Sequence, residues 1–440
     1  MRKPKRRGVS LGTIVMLLLT VAVLIGYTAL LPTFTGNQDI LIDASQLAVA
    51  IDQSFAQLAA TTEKWVHEET FLVTPPPALP VQSAATQPPV IVTPPPKLSF
   101  SLCATGSIVL NSSVQKALTF DDKLRFDLLT DQITGALSAD LSIATLENTV
   151  IASEKSSNLN MPSQLLSAIR STGVNALCLG HREALNSGIS GLEATMQAVS
   201  AAGMLPYGMY ASEEQRRNQT LMNLNGIQTA LLSYQEDISS TGRKMTSEAE
   251  QAFAFSPLTL SQISSDISAA RQRGAQVIVV SLCWGKAGAS APTEEQQALA
   301  QALADVGADV ILGTHSGALQ PVRVLSANRG DGKYHPVLCA YSLGNLVTHD
   351  REKRANLASI LLRADIVYDP ASGSVAFDNL SYTPTYAWRG KDEGKTIYRI
   401  LLNNGEDIPD FVDKDQQGVM SRCYTLVTEK MADTAIPMAQ

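Results

Sequence analysis

Residues 309–322, DVILGTHSGALQPV, and residues 337–345, VLCAYSLGN, decide how this chain is read. Each is an apolar run that stops abruptly in small and polar residues. A buried strand has this form when its carboxyl end carries a site, because the strand faces only protein while its tip opens on solvent. His315 lies just past the first run, and Ser342, Gly344 and Asn345 just past the second. Any chemistry belongs there.

The same texture extends on both sides. From Lys97 onward, apolar strands alternate with helical stretches. KLSFSLCATGSIVL starts as a strand and breaks at Gly106, and a helix near 122–138 leads to DLSIATLENTV, a strand ending around Glu147. Residues 162–172 read as a helix, VNALCLGHREAL as a strand running into a loop at Gly180, and 188–203 as a helix stopped by Gly203. LNGIQTALLSY and QVIVVSLCWG are further strands, and 259–273 and 293–307 further helices. Beyond Asn356 the pattern alternates with period two around a turn, as in an antiparallel hairpin. Repeated β–α units closed by a hairpin predict an α/β layered domain with its sites at the strand carboxyl ends.

The amino-terminal part is of another kind. Residues 1–10 carry five basic groups and no acid, which leaves −12 of the total charge of −7 for the rest. An acidic body excludes nucleic acid as an expected partner. Residues 11–31 hold no charge and, as a helix, reach roughly 30 Å, a bilayer core. They predict a transmembrane signal anchor, and the basic flank puts the amino terminus in the cytoplasm and the rest outside, a single-pass cell-membrane protein. Residues 32–73 form a helical stalk. Within it, over 40–71, Leu47, Ile51, Phe55, Leu58, Thr62 and Trp65 share one helix face that either packs on the downstream domain or associates with a second copy. Nine prolines make 74–96 an extended linker, and 97–440 is the extracytoplasmic domain. The five cysteines have no CxxC spacing, and the expected state is free and mostly buried.

The strand tips, in order, are Gly106-Ser107, Thr145-Leu146-Glu147, His181 to Asn186, Cys283-Trp284-Gly285, Thr314 to Gly317 and Ser342 to Asn345. This series resembles the bacterial CapA family of poly-gamma-glutamate capsule synthesis proteins. YSLGN at 341–345 is an almost literal family signature, and GTHSGALQPV matches G-H-H-P-H-V-x-Q-P. CWG at 283–285 matches HWG, TLE at 145–147 matches NLE, EALNSG at 183–188 matches HALDxG, and TPTY at 383–386 fits a carboxyl-terminal element. The likeness covers roughly 98–390. It implies a calcineurin-like metallophosphoesterase fold, a layered αββα sandwich.

It also implies a metal centre, from which this chain departs. Ser107 stands where the family has Asp, Thr145 where it has Asn, Arg182 and Glu183 where it has Asn and His, Asn186 for Asp, Cys283 for His and Gly317 for the second His. His181 replaces the lost histidine only if the loop carries an insertion. Two surviving ligands are fewer than the three plus an open position that a catalytic metal needs, and Arg182 adds a fixed positive charge. The expected function is therefore a membrane-anchored, catalytically degenerate binding or scaffold component of capsule or envelope polymer synthesis or export, without a cofactor. Its partners would be an envelope polymer or a capsule-assembly protein. The alternative is an active metal-dependent hydrolase or transferase with manganese or zinc on a rebuilt site of Glu147, Glu183, Cys283 and His315. Nucleophilic catalysis by Cys283 with His315 as base is a further, metal-independent option. Arg182, Glu183, Trp284, Ser342 and Asn345 are the candidate ligand-binding residues, and Arg182, Lys286 and Arg323 a candidate basic groove. His335 and His349 read as exposed loop residues. A third reading makes the chain a spacer or oligomer platform driven by 40–71.

Overall fold

In the computed structural model, residues 94–439 are described apart from Asp122, residues 152–158 and Glu393. The expected tail, membrane span and stalk, and nearly all of the linker, lie outside the described residues. Among the described residues no helix is long and apolar enough to cross a membrane.

The apolar runs pair into two sheets. In chain order the strands are β1 (Leu98–Val109), β2 (Thr119–Phe120), β3 (Lys123–Leu124), β4 (Leu141–Leu146), β5 (Ala176–Cys178) and β6 (Leu205–Tyr207). There follow β7 (Thr220–Leu224), β8 (Ile227–Gln235), β9 (Val277–Cys283), β10 (Val310–Thr314), β11 (Val322–Ala327) and β12 (His335–Ala340). The last are β13 (Asn345–Thr348), β14 (Ala358–Asp369), β15 (Ser374–Asp392) and β16 (Lys395–Leu402). The first sheet runs β16-β15-β14-β1-β4-β5-β6, with β13 also paired to β1, and the second runs β11-β12-β10-β9-β8-β7. In the second sheet parallel strands occupy the middle and antiparallel β11 and β7 close the edges, whereas in the first β1, β4, β5 and β6 are parallel and β14, β15 and β16 add to β1 antiparallel.

The alternation of side chains makes four layers of these sheets. Phe100, Leu102 and Ile143 of the first sheet meet Leu231, Val279 and Leu312 of the second in a shared core. The outer face of the first sheet is covered by Leu165, Ile169, Leu192 and Val199 from helices Gln164–Ser171 and Gly188–Ala201. The outer face of the second is covered by Ile263, Ile267, Ala300 and Leu303 from helices Leu260–Gln272 and Glu294–Asp305. Burying each such side chain contributes about 2 kcal/mol. The expected helix–sheet–sheet–helix order is what forms.

Several local expectations are corrected. The helix expected over 122–138 is the β2–β3 ribbon followed by the short helix Asp127–Thr130 and a 3-10 turn to Ile133. Its apolar spacing is real, since Phe126, Leu129, Ile133 and Leu137 are buried. The backbone nevertheless leaves the helix at Gly135, at φ +72°, where Gly135 N–H donates to Ser171 O. LNGIQTALLSY is not one strand but a hairpin. Asn225 and Gly226 take φ +50° and +90°, the mirror-image turn that Asn-Gly favours. β16 and helix Lys414–Met431 extend the carboxyl-terminal hairpin beyond the sequence reading. All five cysteines are free and buried.

Gly106 does not break β1. It lets another strand pass. Residues 341–345 cross from the second sheet to the first: Leu343 N–H donates to Gly313 O at 3.1 Å, and Ser107 N–H donates to Gly344 O at 3.0 Å. Ser359 Oγ donates to Leu343 O at 2.6 Å. A Cβ on Gly106 would stand 2.2 Å from Gly344 O, and one on Gly313 2.0 Å from Tyr341 O. These contacts are backbone on backbone, so no rotamer relieves them. Gly106→Ala is expected to lower stability by about 3 kcal/mol in denaturant unfolding; an unchanged midpoint would refute the close approach.

Candidate functional site

Strand register brings the sequence-predicted tips together. Across the first sheet Ser107 pairs with Thr145, Thr145 with Cys178, and Asn345 lies opposite Ser107 on its other side. Across the second, Gln235, Cys283 and Thr314 form a row. Glu147 follows the end of β4, where its N–H donates to Ile108 O at 3.0 Å. Asn148 holds the next turn by accepting from Leu110 N–H at 3.0 Å and donating to Leu159 O at 2.7 Å.

A cavity of about 280 Å³ opens at this end, lined by Glu147, His315, Asn345, Asp350, Lys353 and Asn356 among others. That is the lower end of the size of ligand pockets, room for a small polar group. The loop after β13 supplies its far wall. Asn356 Nδ2 donates to Asp350 Oδ2 at 2.7 Å, and Asn345 Nδ2 reaches Asn356 O at 3.5 Å. Both amide atoms of Gln235 and Asn356 Oδ1 are buried without a hydrogen-bond partner.

Burial dominates the electrostatics. It raises the Glu147 carboxyl to about 6, against a smaller downward pull from the nearby Ser107 hydroxyl, with the charge of Glu183 adding to the rise. It drives the Cys283 thiol well above its ordinary value, and the negative charge of Glu147 reinforces this. Burial also lowers His315; Glu236 opposes that shift, and Arg182 assists it. His315 holds φ +83°, a backbone conformation rare for a residue with a Cβ. Such strain concentrates at functional sites.

The metal that the fold implies does not fit these residues. Among the described residues no three His, Cys, Asp or Glu side chains gather as a metal-binding group. The chemistry of the donors agrees. Burial and the negative charge of Glu147 keep the Cys283 thiol protonated, which disfavours it as a nucleophile. Glu183 Oε2 accepts from Asn186 Nδ2 at 2.9 Å, and Ser239 Oγ donates to Asn186 Oδ1, which turns both former ligand positions into a loop clamp. His181 is buried, its Nδ1 accepts from Glu183 N–H at 3.2 Å, and burial alone lowers it to about 3. It is a neutral structural histidine.

The other candidates separate cleanly. Trp284 is not a ligand platform: it is 1% exposed, donates its Nε1–H to Tyr341 O at 2.9 Å and stacks on Tyr341 with ring centroids 6.1 Å apart. Ser342 is buried too, its hydroxyl 2.8 Å from that of Ser316 and accepting from Gly344 N–H. Asn345 lines the cavity. Arg182 is exposed and acts on His315, while Arg323 acts on Tyr341; the cation lining the cavity is Lys353, not a groove of Arg182, Lys286 and Arg323. His335 is not an exposed loop residue but a buried one, its Nε2 2.9 Å from Asp331. His349 is half-buried, with an unpartnered Nδ1. Sequence reasoning missed Glu236, Gln235 and the Asp350–Asn356 wall. Glu236 was findable, because the apolar run of β8 ends in Gln235-Glu236-Asp237, as a tip should. Its Oε1 accepts from Gly285 N–H at 2.9 Å.

Two facing mixed sheets with helices outside and a polar site at the parallel strand tips make this a layered α/β fold. The chain belongs to the bacterial capsule synthesis protein PGA_cap family, whose model matches residues 101–350. It is 27% identical over 194 residues to the capsule biosynthesis protein CapA of Bacillus anthracis, covering 44% of this chain and 45% of that protein. It is 23% identical over 195 residues to the PGA biosynthesis protein CapA of Bacillus subtilis, covering 44% and 48%. The chain thus spans about half the length of the curated relatives it matches. Among solved structures, a phosphatase from Mycoplasma pneumoniae aligns with a TM-score of 0.39 at 13% identity, covering 73% of this chain and 99% of that one. The calcineurin-like phosphoesterase YfkN from Bacillus subtilis aligns with a TM-score of 0.37 at 13% identity, covering 76% and 99%.

The raised Glu147 carboxyl has a signed consequence. Between its ordinary pKa of 4.5 and the native value of about 6, the folded state holds more proton than the unfolded. Its contribution to stability is therefore lost as pH rises through that window. His181, lowered in the fold, slopes the other way and costs stability as pH falls below 6.5. Unfolding free energies of wild type and Glu147→Gln, measured from pH 4.5 to 7, are expected to diverge by about 2 kcal/mol in favour of the variant. A pH-independent difference would contradict the burial of this carboxylate.

Proposed function

We propose that this protein is a membrane-anchored, extracytoplasmic binding or scaffold component of capsule or envelope polymer assembly that carries a metallophosphoesterase-like domain without its metal chemistry. One observation carries the reading. The strand-tip framework is kept, with the 341–345 crossing and the Asn345 cavity in place, while the side chains at the ligand positions are committed to other bonds or held neutral. Hydrolysis in this fold depends on a metal-activated water and on charge stabilisation at phosphorus, and the residues at hand supply neither a cation cage nor a thiolate. Membership of the capsule synthesis family supports the polymer context. The apolar segment 11–31 with its basic flank supports the anchor.

The test uses the full-length protein. Metal analysis after purification is expected to find no stoichiometric manganese or zinc, and a phosphodiester such as bis-p-nitrophenyl phosphate is expected to show no turnover with either ion added. Stoichiometric metal that disappears in His315→Ala, together with turnover, would establish the rebuilt-site hydrolase instead.

A further inference from the structure

The strand-tip cavity holds more hydrogen-bond acceptors than the chain satisfies. Glu147, Asp350 and Glu352 line it against one lysine, Lys353, and burial lowers His315, which favours its neutral ring. An acid-rich rim by itself is only a solvated surface. Two buried asparagines in the same wall make the difference. Asn356 is 6% exposed and Asn345 7%. Asn356 directs its Nδ2 to Asp350 Oδ2 at 2.7 Å, and Asn345 directs its Nδ2 to Asn356 O at 3.5 Å. Both amides are thereby oriented, and among the described residues neither Oδ1 accepts a hydrogen bond. An unpaired buried acceptor is costly, so these oxygens call for a donor.

The kind of donor follows from charge and spacing. Acids outnumber cations among the lining residues, which disfavours an anion. Glu147 receives no help from a cation of the chain: burial raises its carboxyl, the Ser107 hydroxyl pulls it down, and the one charge acting on it is a further acid, Glu183. Lys353 holds its Nζ beside Gly288 instead. A metal ion would need its donors to converge at roughly 2.0 to 2.6 Å from one point, and no three His, Cys, Asp or Glu side chains do so among the described residues. An ammonium tolerates a wider ring, with three N–H donors at about 2.8 Å. A guanidinium's planar fork is matched by a bidentate carboxylate, whereas two of the acceptors here are single amide oxygens.

We propose that this cavity binds a primary ammonium group on an alkyl stem, as a diamine or a diamino acid carries it. The Glu147 carboxylate supplies the opposite charge, and Asn345 Oδ1 and Asn356 Oδ1 accept the remaining N–H donors. Val109 and Ala287, which line the same cavity, pack on the stem. Exposed Glu352 keeps the mouth negative, and exposed Lys353 opposes it. A quaternary ammonium has the charge but no N–H, and leaves both amide oxygens unpaired. The proposal rests on the reading above that the tips hold no metal; the two unbonded amide oxygens do not.

The experiment is equilibrium dialysis of radiolabelled cadaverine with the full-length protein, with lysine and choline as competitors. Saturable cadaverine binding is expected, and choline should not displace it. Affinity should fall about tenfold or more in Glu147→Gln. That variant is the more stable protein at neutral pH by the argument above, so its loss of binding is not a loss of fold. Lys353→Met, which removes an exposed competing cation, should tighten binding by about threefold. Displacement by lysine assigns the ligand to diamino acids, and cadaverine binding that lysine leaves intact assigns it to diamines; either outcome upholds the ammonium site. Competition by choline, or wild-type affinity in Glu147→Gln, would overturn the proposal. Stoichiometric manganese or zinc on the purified protein would overturn the metal-free reading and this proposal together, whereas a metal-free protein that takes up no cadaverine would overturn this proposal alone.

Discussion

The structure depends on one crossing of backbones. Residues 341–345 leave the second sheet through the Leu343–Gly313 hydrogen bond and enter the first through the Ser107–Gly344 bond. Two sheets packed by non-directional apolar contacts would slide by a residue at modest cost. Fixed hydrogen bonds from one strap to both sheets prevent it. The strap passes only because Gly106 and Gly313 lack a Cβ where the neighbouring carbonyl stands about 2 Å away. Tyr341 and Asn345 serve the same strap, one packed under Trp284 and the other placed opposite Ser107. This gives YSLGN a structural reason of its own, apart from any chemistry at the strand tips. The motif is needed for the sheets to meet, whatever happens at their tips.

What happens at the tips follows from burial. A metal would offset the desolvation of several carboxylates and imidazoles at once. With Ser107, Asn186 and Cys283 at the tips, burial shifts the remaining ionisable groups toward their neutral forms: the Glu147 carboxyl rises, the Cys283 thiol rises and His315 falls. Other tip residues are engaged in hydrogen bonds, as in the Glu183–Asn186–Ser239 clamp. A few groups keep no partner, both amide atoms of Gln235 above all. Unpaired buried polar atoms are costly to keep.

Much of this was legible. The runs around His315 and Asn345, the helices at 188–203, 259–273 and 293–307, and the free buried cysteines could be read from periodicity, caps and spacing alone. The failures have identifiable causes. The 122–138 segment has a helical apolar period, but Gly135 and its bond to Ser171 O divert the chain. At 224–234 the apolar run outweighed an Asn-Gly turn signal in plain view. Trp284 and Ser342 sat at the right positions for a site, yet side-chain direction turned both inward.

By itself the sequence determined which segments are strands, which ends carry polar residues and which family they belong to. Those properties follow from local patterning and from motifs that close packing keeps. Only the tertiary structure decided which tip residues share a cavity, which acids are already bonded, and where positive charge accumulates. Glu147 and Glu236 look alike in the sequence. One lines the cavity and is pushed toward neutrality, while the other is exposed and accepts from Gly285 N–H. Arg216, Arg217 and Arg273 meet at one cleft because helices Glu213–Arg217 and Leu260–Gln272, far apart in the chain, both border it. Burial and long-range proximity are set by the whole chain at once, and no local window contains them.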